Sequence, residues 1–352
     1  MTNIDSSRPV LVTGATGYVA SWLIKRLLDE GLTVHAAVRD PKKTNKIAHL
    51  NTMAEQSKGN IVYFKSDLLV KGSYGKAMEG CELVFHTASP FISKIKDPQK
   101  DLIDPAVGGT ENILDSASQT ASVKRIVLTS SCAAVYNDAI DCLHAPNGTL
   151  TEAVWNNGSS LDYQPYSFSK TLAEKKAWTI CENQEQWDLV VINPSLVLGP
   201  WMNPKVTTSE SFAILKQLGD GTMKMGAPKL GLGMVDVRDV AEAHYQAAFN
   251  PSAKGRYITS GHNTNFLEMS KILLPKFGKD YPLPSKPLPK WLLMLVGPFT
   301  NKLFTRRFIR NNVNIEWKAD NSKIKNDLGI AFRPMQETME DAFQILVDEK
   351  VL

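Results

Sequence analysis

Tyr166 and Lys170 stand four residues apart in the segment Tyr166-Ser-Phe-Ser-Lys170, a spacing that puts phenol and ammonium on one face of a helix. A free phenol has a pKa near about 10, roughly three units above neutrality, so unaided it rarely exchanges a proton near pH 7. Neighbouring positive charge lowers that value. Lys170 supplies such a charge, and an oxidised nicotinamide ring would add to it, which makes Tyr166 a candidate proton donor to a carbonyl oxygen. Ser131, in Leu128-Thr-Ser-Ser131-Cys, follows an apolar run and can polarise that carbonyl and steady the developing alkoxide. Hydride transfer with Tyr166 as the acid is the chemistry these three residues would perform. A Tyr and a Lys at this spacing also arise where an aromatic ring lies under a snorkelling lysine, so the pair takes its meaning from its setting.

That setting begins at Val10-Leu-Val-Thr-Gly14-Ala-Thr-Gly17-Tyr-Val-Ala20, where two glycines and an alanine recur three apart between a strand-like and a helix-like run. Glycine there permits a tight turn and close backbone approach to a pyrophosphate, and a helix N-terminus offers N–H donors and a positive dipole end. Arg39 stands 25 positions after Gly14, where an acidic residue would accept the ribose 2′-hydroxyl of NAD. A guanidinium in that place favours the 2′-phosphate of NADP. Asp40 beside it leaves room for some acceptance of NAD. Lys42, Lys43 and Lys46 follow, the first two reading as solvated surface cations. Asp67-Leu68, after the third apolar run, either lines an adenine ring or caps a helix.

Apolar runs at 10–13, 33–38, 61–64, 83–85, 125–128 and 189–192 alternate with helix-like stretches, the pattern of an α/β fold whose parallel sheet is covered on both faces. Residues 18–30 put Val19, Leu23, Leu27 and Leu28 on one face and stop at Gly31. Residues 166–181 turn Leu172, Ala173 and Ala177 inward and several Lys and Glu outward. After Pro194, Pro and Gly become frequent and the alternation lapses. The expected organisation is a nucleotide-binding domain over 1–195, rejoined by 234–260, with a smaller substrate-binding lobe built from 196–233 and 261–352.

Apolar residues at 43% and charged residues at 22% exclude wholesale disorder. Forty Lys and Arg against 36 Asp and Glu leave a net +4, too weak without clustering to mark a nucleic-acid surface. The four cysteines lack disulfide-framework or metal-ligand spacing, so no metal is expected and a reducing compartment fits. The first nine residues have no signal-peptide pattern, and the apolar run 291–296 falls far short of the roughly 20 residues a membrane span requires. A cytoplasmic location is therefore expected. Residues 302–310 interleave Phe304, Phe308 and Ile309 with basic residues, and read as a membrane-surface helix or, with Gly297 and Pro298 breaking the apolar face, as a lid or packing helix.

Through TGATGYVA, AAVRDP, SDL, VFHTASPF, LTSSCAAV, YSFSKTLAEKKAW, INPSLVLGP and VDVRDVAEAH, the chain resembles the extended short-chain dehydrogenase/reductases over almost its whole length. Among them it is most similar to the dihydroflavonol reductase-like carbonyl reductases. The resemblance implies a Rossmann doubly wound sheet, NADP(H) as cofactor, and reduction of small aldehydes or ketones to alcohols. It implies Ser131, Tyr166 and Lys170 as catalytic residues, and Gly14, Thr16, Gly17, Tyr18, Val19, Arg39, Lys46, Asp67 and Leu68 around the adenine half of the cofactor. It also implies that Thr87, Ala88 and Ser89, with Tyr166 and Lys170, border the nicotinamide ribose, while Pro194, Ser195 and Val197 hold the carboxamide edge.

The departures from the family pattern concern the substrate. Gly108 stands where the wider superfamily often has a relay Asn, and Tyr136 where plant dihydroflavonol reductases carry an Asn. Residues 161–170 replace a signature of cinnamoyl-CoA reductases. A broader pocket is expected, lined by Phe91, Tyr136, Trp201 and Met202, each of which could equally be core. Two rival readings are an NAD-retaining sugar-nucleotide epimerase or dehydratase and a non-catalytic NADP-binding sensor. Arg39 and the lack of an Asp-Glu pair after Ser131 oppose the first; the presence of both Tyr166 and Lys170 opposes the second. His35, His86, His244 and Cys132 read as structural. No nucleic acid or membrane partner is expected, and the chain should be a monomer or homodimer.

Overall fold

The computed structural model describes residues 2–89, 95–203, 210–300 and 304–352. Its strands are β1 (Val10–Thr13), β2 (Thr33–Val38), β3 (Asn60–Lys65), β4 (Leu83–His86), β5 (Arg125–Thr129), β6 (Asp188–Pro194), β7 (Leu196–Leu198), β8 (Leu232–Asp236), β9 (Gly255–Thr259) and β10 (His262–Thr264). In chain order the helices begin with α1 (Tyr18–Asp29), α2 (Thr44–Glu55), α3 (Gly75–Met78), α4 (Asp104–Ser118), α5 (Asp141–His144) and α6 (Pro165–Glu182). They continue with α7 (Glu210–Gly219), α8 (Val237–Phe249), α9 (Phe266–Phe277), α10 (Lys290–Thr300), α11 (Arg306–Asn312), α12 (Ser322–Leu328) and α13 (Met335–Asp348).

Seven strands form one sheet in the order β3-β2-β1-β4-β5-β6-β9, and every pairing in it is parallel. The chain builds outward from β1 in one direction, then returns and builds outward in the other, which opens a crevice at the strand C-termini between β1 and β4. Successive side chains of a strand leave on opposite faces, so a sheet covered on both sides needs apolar residues at every position. Val10 and Val12 of β1 pack with Leu23, Ile24, Leu27 and Leu28 of α1 on one face, while Leu11 meets Ile113, Leu114 and Ala117 of α4 on the other. The α/β fold with a doubly wound parallel sheet is thus as the apolar runs predict.

The second lobe has its own core, in which Leu215 and Leu218 of α7, Met269 and Leu273 of α9, and Phe343 and Leu346 of α13 pack together. Beside it lies a three-stranded sheet in the order β10-β8-β7. Residues 234–260 divide between the two cores. β7 follows β6 after a single intervening residue, Ser195, and carries with it the partner that β8 pairs with, so β8 belongs to the small sheet. By contrast α8 lies against α1, and β9 closes the large sheet beside β6. From the C-terminal stretch, Ile324 and Leu328 of α12 also return to the large-sheet core. Ile309 of α11 is buried with Leu293 and Val313, so α11 is a packing helix. No helix among the described residues is long and apolar enough to cross a membrane, and no cluster of His, Cys, Asp or Glu among them could hold a metal ion.

Arg125 fastens the middle of the large sheet to one helical layer. Its guanidinium is 1% exposed, donates to Asp188 at 2.8 and 2.9 Å, and caps the carbonyl end of α8 through Ala247, Ala248 and Asn250 at 3.1, 3.2 and 2.7 Å. Those terminal carbonyls have no partner within the helix. Arg125→Met should lower the free energy of urea unfolding by about 3 kcal/mol, because several buried acceptors lose a charged donor together. An equilibrium urea titration followed by circular dichroism checks this.

Candidate active site

The crevice floor is made by hydrogen bonds that join the ends of β1 and β4. Ala88 N–H donates to Thr13 Oγ1 at 3.0 Å, and the Thr87 hydroxyl donates to the Thr13 carbonyl. Gly14 turns the chain with φ +62°, and a Cβ there would stand 2.9 Å from Ala88 Cα, so only glycine lets the two segments meet. Gly17 donates its N–H to the Gly14 carbonyl at 2.8 Å and is the N-cap of α1, with no side chain capping the helix. Thr16, Gly17 and Tyr18 also border a small cavity of about 30 Å³ with Ser21, Trp201, Met202 and Asn203. Arg39 and Lys46 are exposed at the end of β2 and the first turn of α2. Asp67 and Arg39 lie close enough to Tyr74 for both charges to act on its phenol. Leu68 packs so tightly under α4 that a Cβ on Gly109 would overlap it at 2.4 Å.

Across the crevice, α6 carries the phenol and the ammonium. Pro165 occupies its first turn, where a missing N–H costs nothing, and Gln164 before it is left-handed at φ +54°. The Gln164 side chain is held by the Asn137 carbonyl at 2.7 Å and by Asp138 at 2.8 Å. Asp138 is buried and also accepts from Tyr163, Asn311 and Asn312, so the start of α6 is tied to the lobe helix α11. Tyr166 is half exposed as a residue, and its hydroxyl is the crowded end. Burial pushes that phenol above its ordinary value, the Ser131 hydroxyl holds it down, and Glu210 at the start of α7 raises it further. The expected lowering by Lys170 is not among the influences on this phenol, whose net shift is upward with burial as the main cause. Burial likewise pushes Lys170 down to about 8, with Glu174 working in the opposite sense.

Lys170 and Glu174 line a cavity of about 20 Å³ together with His86, Ser89, Thr110 and Ser130. His86 is fully buried, its Nδ1 lies 3.3 Å from Thr13 Oγ1, and burial holds its pKa near about 3, so it is neutral. Its Nε2 has no hydrogen-bond partner among the described residues. Ser131 sits in extended backbone just after β5, and its Oγ accepts from Ala133 N–H at 3.1 Å. Pro194 ends β6, Ser195 and Val197 follow on the way into β7, and Ser195 Oγ is another buried atom with no described partner.

The sequence profile of the NAD dependent epimerase/dehydratase family matches residues 10–259, more than two thirds of the chain. A cinnamoyl-CoA reductase from Medicago truncatula is 40% identical over 276 residues, covering 78% of this chain and 82% of the relative. Tetraketide alpha-pyrone reductase 1 from Arabidopsis thaliana is 35% identical over 348 residues, covering 97% and 96%. Among solved structures, yeast methylglyoxal/isovaleraldehyde reductase Gre2 in complex with NADPH superposes with a TM-score of 0.76 at 29% identity, covering 98% of this chain and all of the other. The chain belongs to the NAD dependent epimerase/dehydratase family. Within it, the dihydroflavonol reductase-like members are its relatives, as the motifs imply.

For this epimerase/dehydratase family member, several substrate expectations change. Trp201 is only 3% exposed, stacked on Tyr18 at 5.0 Å and met edge-on by Phe212 at 5.3 Å, so it is a core residue beside the glycine turn. Tyr18 itself donates to the Gly199 carbonyl at 2.8 Å, which fixes that loop to α1. Met202 borders the same small cavity by the turn. Tyr136 is half-buried, packed 5.5 Å from Trp317. Phe91 lies outside the described residues. The partly buried His35 donates Nδ1–H to the Ala77 carbonyl, while in the core His244 joins Thr129 to Val240 and Cys132 contacts the Asn193 carbonyl. Burial raises the pKa of Cys81, Cys132, Cys142 and Cys181 alike.

One residue beside the centre escapes a reading by pattern. Glu174, grouped with the outward charges of its helix, is buried behind Lys170. The available signal was its spacing, four residues after Lys170 and eight after Tyr166, which places it on their face. Gly14→Ala should cost on the order of 3 kcal/mol, from left-handed strain plus the clash with Ala88. Thermal unfolding of the variant beside a surface control such as Gly72→Ala, where a Cβ meets nothing within 4 Å, measures the clash over the strain alone.

Proposed function

We propose that this protein is an NADP(H)-dependent reductase that converts aldehydes or ketones to alcohols, with Tyr166 as the proton donor. The observation that carries this reading is the Ser131 hydroxyl bonded to the Tyr166 phenol, with Lys170 one turn further along the same helix. The reductases named among its relatives support it, as does the NADPH bound in the yeast structure. The chain's own residues fit the cofactor. The Gly14 cradle would be filled by any Cβ, Ser195 Oγ is a buried polar atom left for a carboxamide, and Arg39 makes no ion pair among the described residues. Arg39 would take the 2′-phosphate, with Lys46 beside it, and Gly14, Thr16, Gly17, Tyr18 and Val19 would border the pyrophosphate. Asp67 and Leu68 would line the adenine, and Thr87, Ala88 and Ser89 the nicotinamide ribose. Pro194, Ser195 and Val197 would meet the carboxamide. When bound, the cofactor supplies the hydride.

The protein supplies everything else. The Ser131 hydroxyl donates to the substrate oxygen and withdraws charge from it. Burial keeps the Tyr166 phenol protonated at neutral pH, which suits the reductive direction, since the acid arrives loaded. As the proton leaves, the Lys170 ammonium one helical turn on stabilises the phenolate. The dehydratase alternative finds no support after Ser131, where a 3-10 turn of Cys132, Ala133 and Ala134 carries no carboxylate.

Mixing the protein with NADPH and a panel of aldehydes, ketones and sugar nucleotides, while following nicotinamide absorbance, tests the reading. Turnover should be confined to the carbonyl compounds. Tyr166→Phe should then lower kcat at least about 100-fold with NADPH binding nearly intact, and normal turnover in that variant would remove Tyr166 from the chemistry. Arg39→Ala should raise KM for NADPH about tenfold while leaving NADH unchanged. An equal effect on both cofactors would mean that the phosphate is held elsewhere.

A further inference from the structure

The Glu174 side chain is 1% exposed and accepts from four donors contributed by four different segments. Oε2 receives the Ser130 hydroxyl at 2.5 Å and Asn193 Nδ2 at 2.8 Å. Oε1 receives Arg256 Nε at 2.6 Å and, more distantly, Trp178 Nε1 at 3.4 Å. Ser130 directly precedes Ser131. Asn193 directly precedes Pro194, and its amide also donates to the Ser131 carbonyl at 3.2 Å. Arg256, on β9, is itself immobilised by the carbonyls of Glu152 and Val154 at 2.9 and 2.7 Å and lies over the Trp155 ring at 3.9 Å. One carboxylate therefore joins the C-terminal ends of β5 and β6, and Arg256 near the start of β9, to the helix that carries the phenol and the ammonium.

The same side chain faces Lys170. The cavity that Lys170 borders is lined by Glu174 from α6, the neutral His86 from β4, Ala106 and Thr110 from α4, and Leu128, Thr129 and Ser130 at the β5 end. Arg256 stands beyond Glu174. Glu174 is thus the anion among these lining groups, and it sustains the ammonium against burial.

We propose that Glu174 is a positioning residue for the reduction: through Ser130 and Asn193 it sets Ser131, and by its charge it keeps Lys170 protonated beneath Tyr166. The proposal rests on the roles given to those three residues above, and its test includes a readout free of turnover. Trace acetylation with acetic anhydride across a pH series, read by mass spectrometry, reports the titration of Lys170 directly. In the wild type the midpoint should lie near about 8. In Glu174→Gln it should fall by about one unit, and the alkaline limb of kcat should move with it. Glu174→Asp keeps the charge but is too short to hold Ser130 and Arg256 together. It should leave the limb in place while kcat falls at least about tenfold.

A Lys170 midpoint unmoved in Glu174→Gln would overturn the electrostatic part, and wild-type kcat in Glu174→Asp would overturn the geometric part. Should Glu174→Gln fail to fold, Ser130→Ala removes only the bridge to Ser131. It should then lower kcat about fivefold without moving the Lys170 midpoint, and an unaltered kcat there would equally overturn the geometric part. Normal turnover in Tyr166→Phe would refute the parent reading alone, since the Lys170 titration does not depend on it.

Discussion

Hydrogen bonds that run from one strand end to the next hold this cleft together. A parallel sheet brings its C-terminal ends to one edge but leaves each followed by a loop free to wander. Thr13 ties β1 to the segment after β4 through both its hydroxyl and its carbonyl. Glu174 does the same for β5 and β6 from a helix, and reaches β9 through Arg256. With both ties made, the glycine turn, Ser131 and the Tyr166 helix are joined to the strand ends by named hydrogen bonds.

The interior then decides which of these groups carry charge. Burial lowers His86 to about 3 and Lys170 to about 8, and raises the Tyr166 phenol. All three shifts favour the neutral form, as expected where solvation is lost. Glu174 sustains the charge of Lys170, whereas Glu210 adds to the rise of Tyr166, and of the three Lys170 sits near enough to neutrality for its charge to change with modest shifts in pH.

Much of this was legible in the sequence because it is periodic or local. The strands are continuous apolar runs, the first helix ends at a glycine with φ +83°, and the turn at Gly14 needs a residue without a side chain. What was illegible depends on contacts far apart in the chain. Glu174 looks like one more charge on a helix with many, and only its distant partners Ser130, Asn193 and Arg256 turn it inward. Trp201 has the composition of a pocket residue, but Tyr18 and Phe212, on two separate helices, claim both its surfaces. The strand β8 reads like its neighbours in the large sheet, and its partner is decided by where β7 goes after Ser195.

The burial of the four thiols carries a consequence for durability. Electrophiles attack sulfur chiefly as the thiolate. Every cysteine here has its pKa raised, that of Cys81 to about 12, so almost no sulfur anion exists at neutral pH. A chain so built keeps its sulfur out of reach of electrophiles in the surrounding solution.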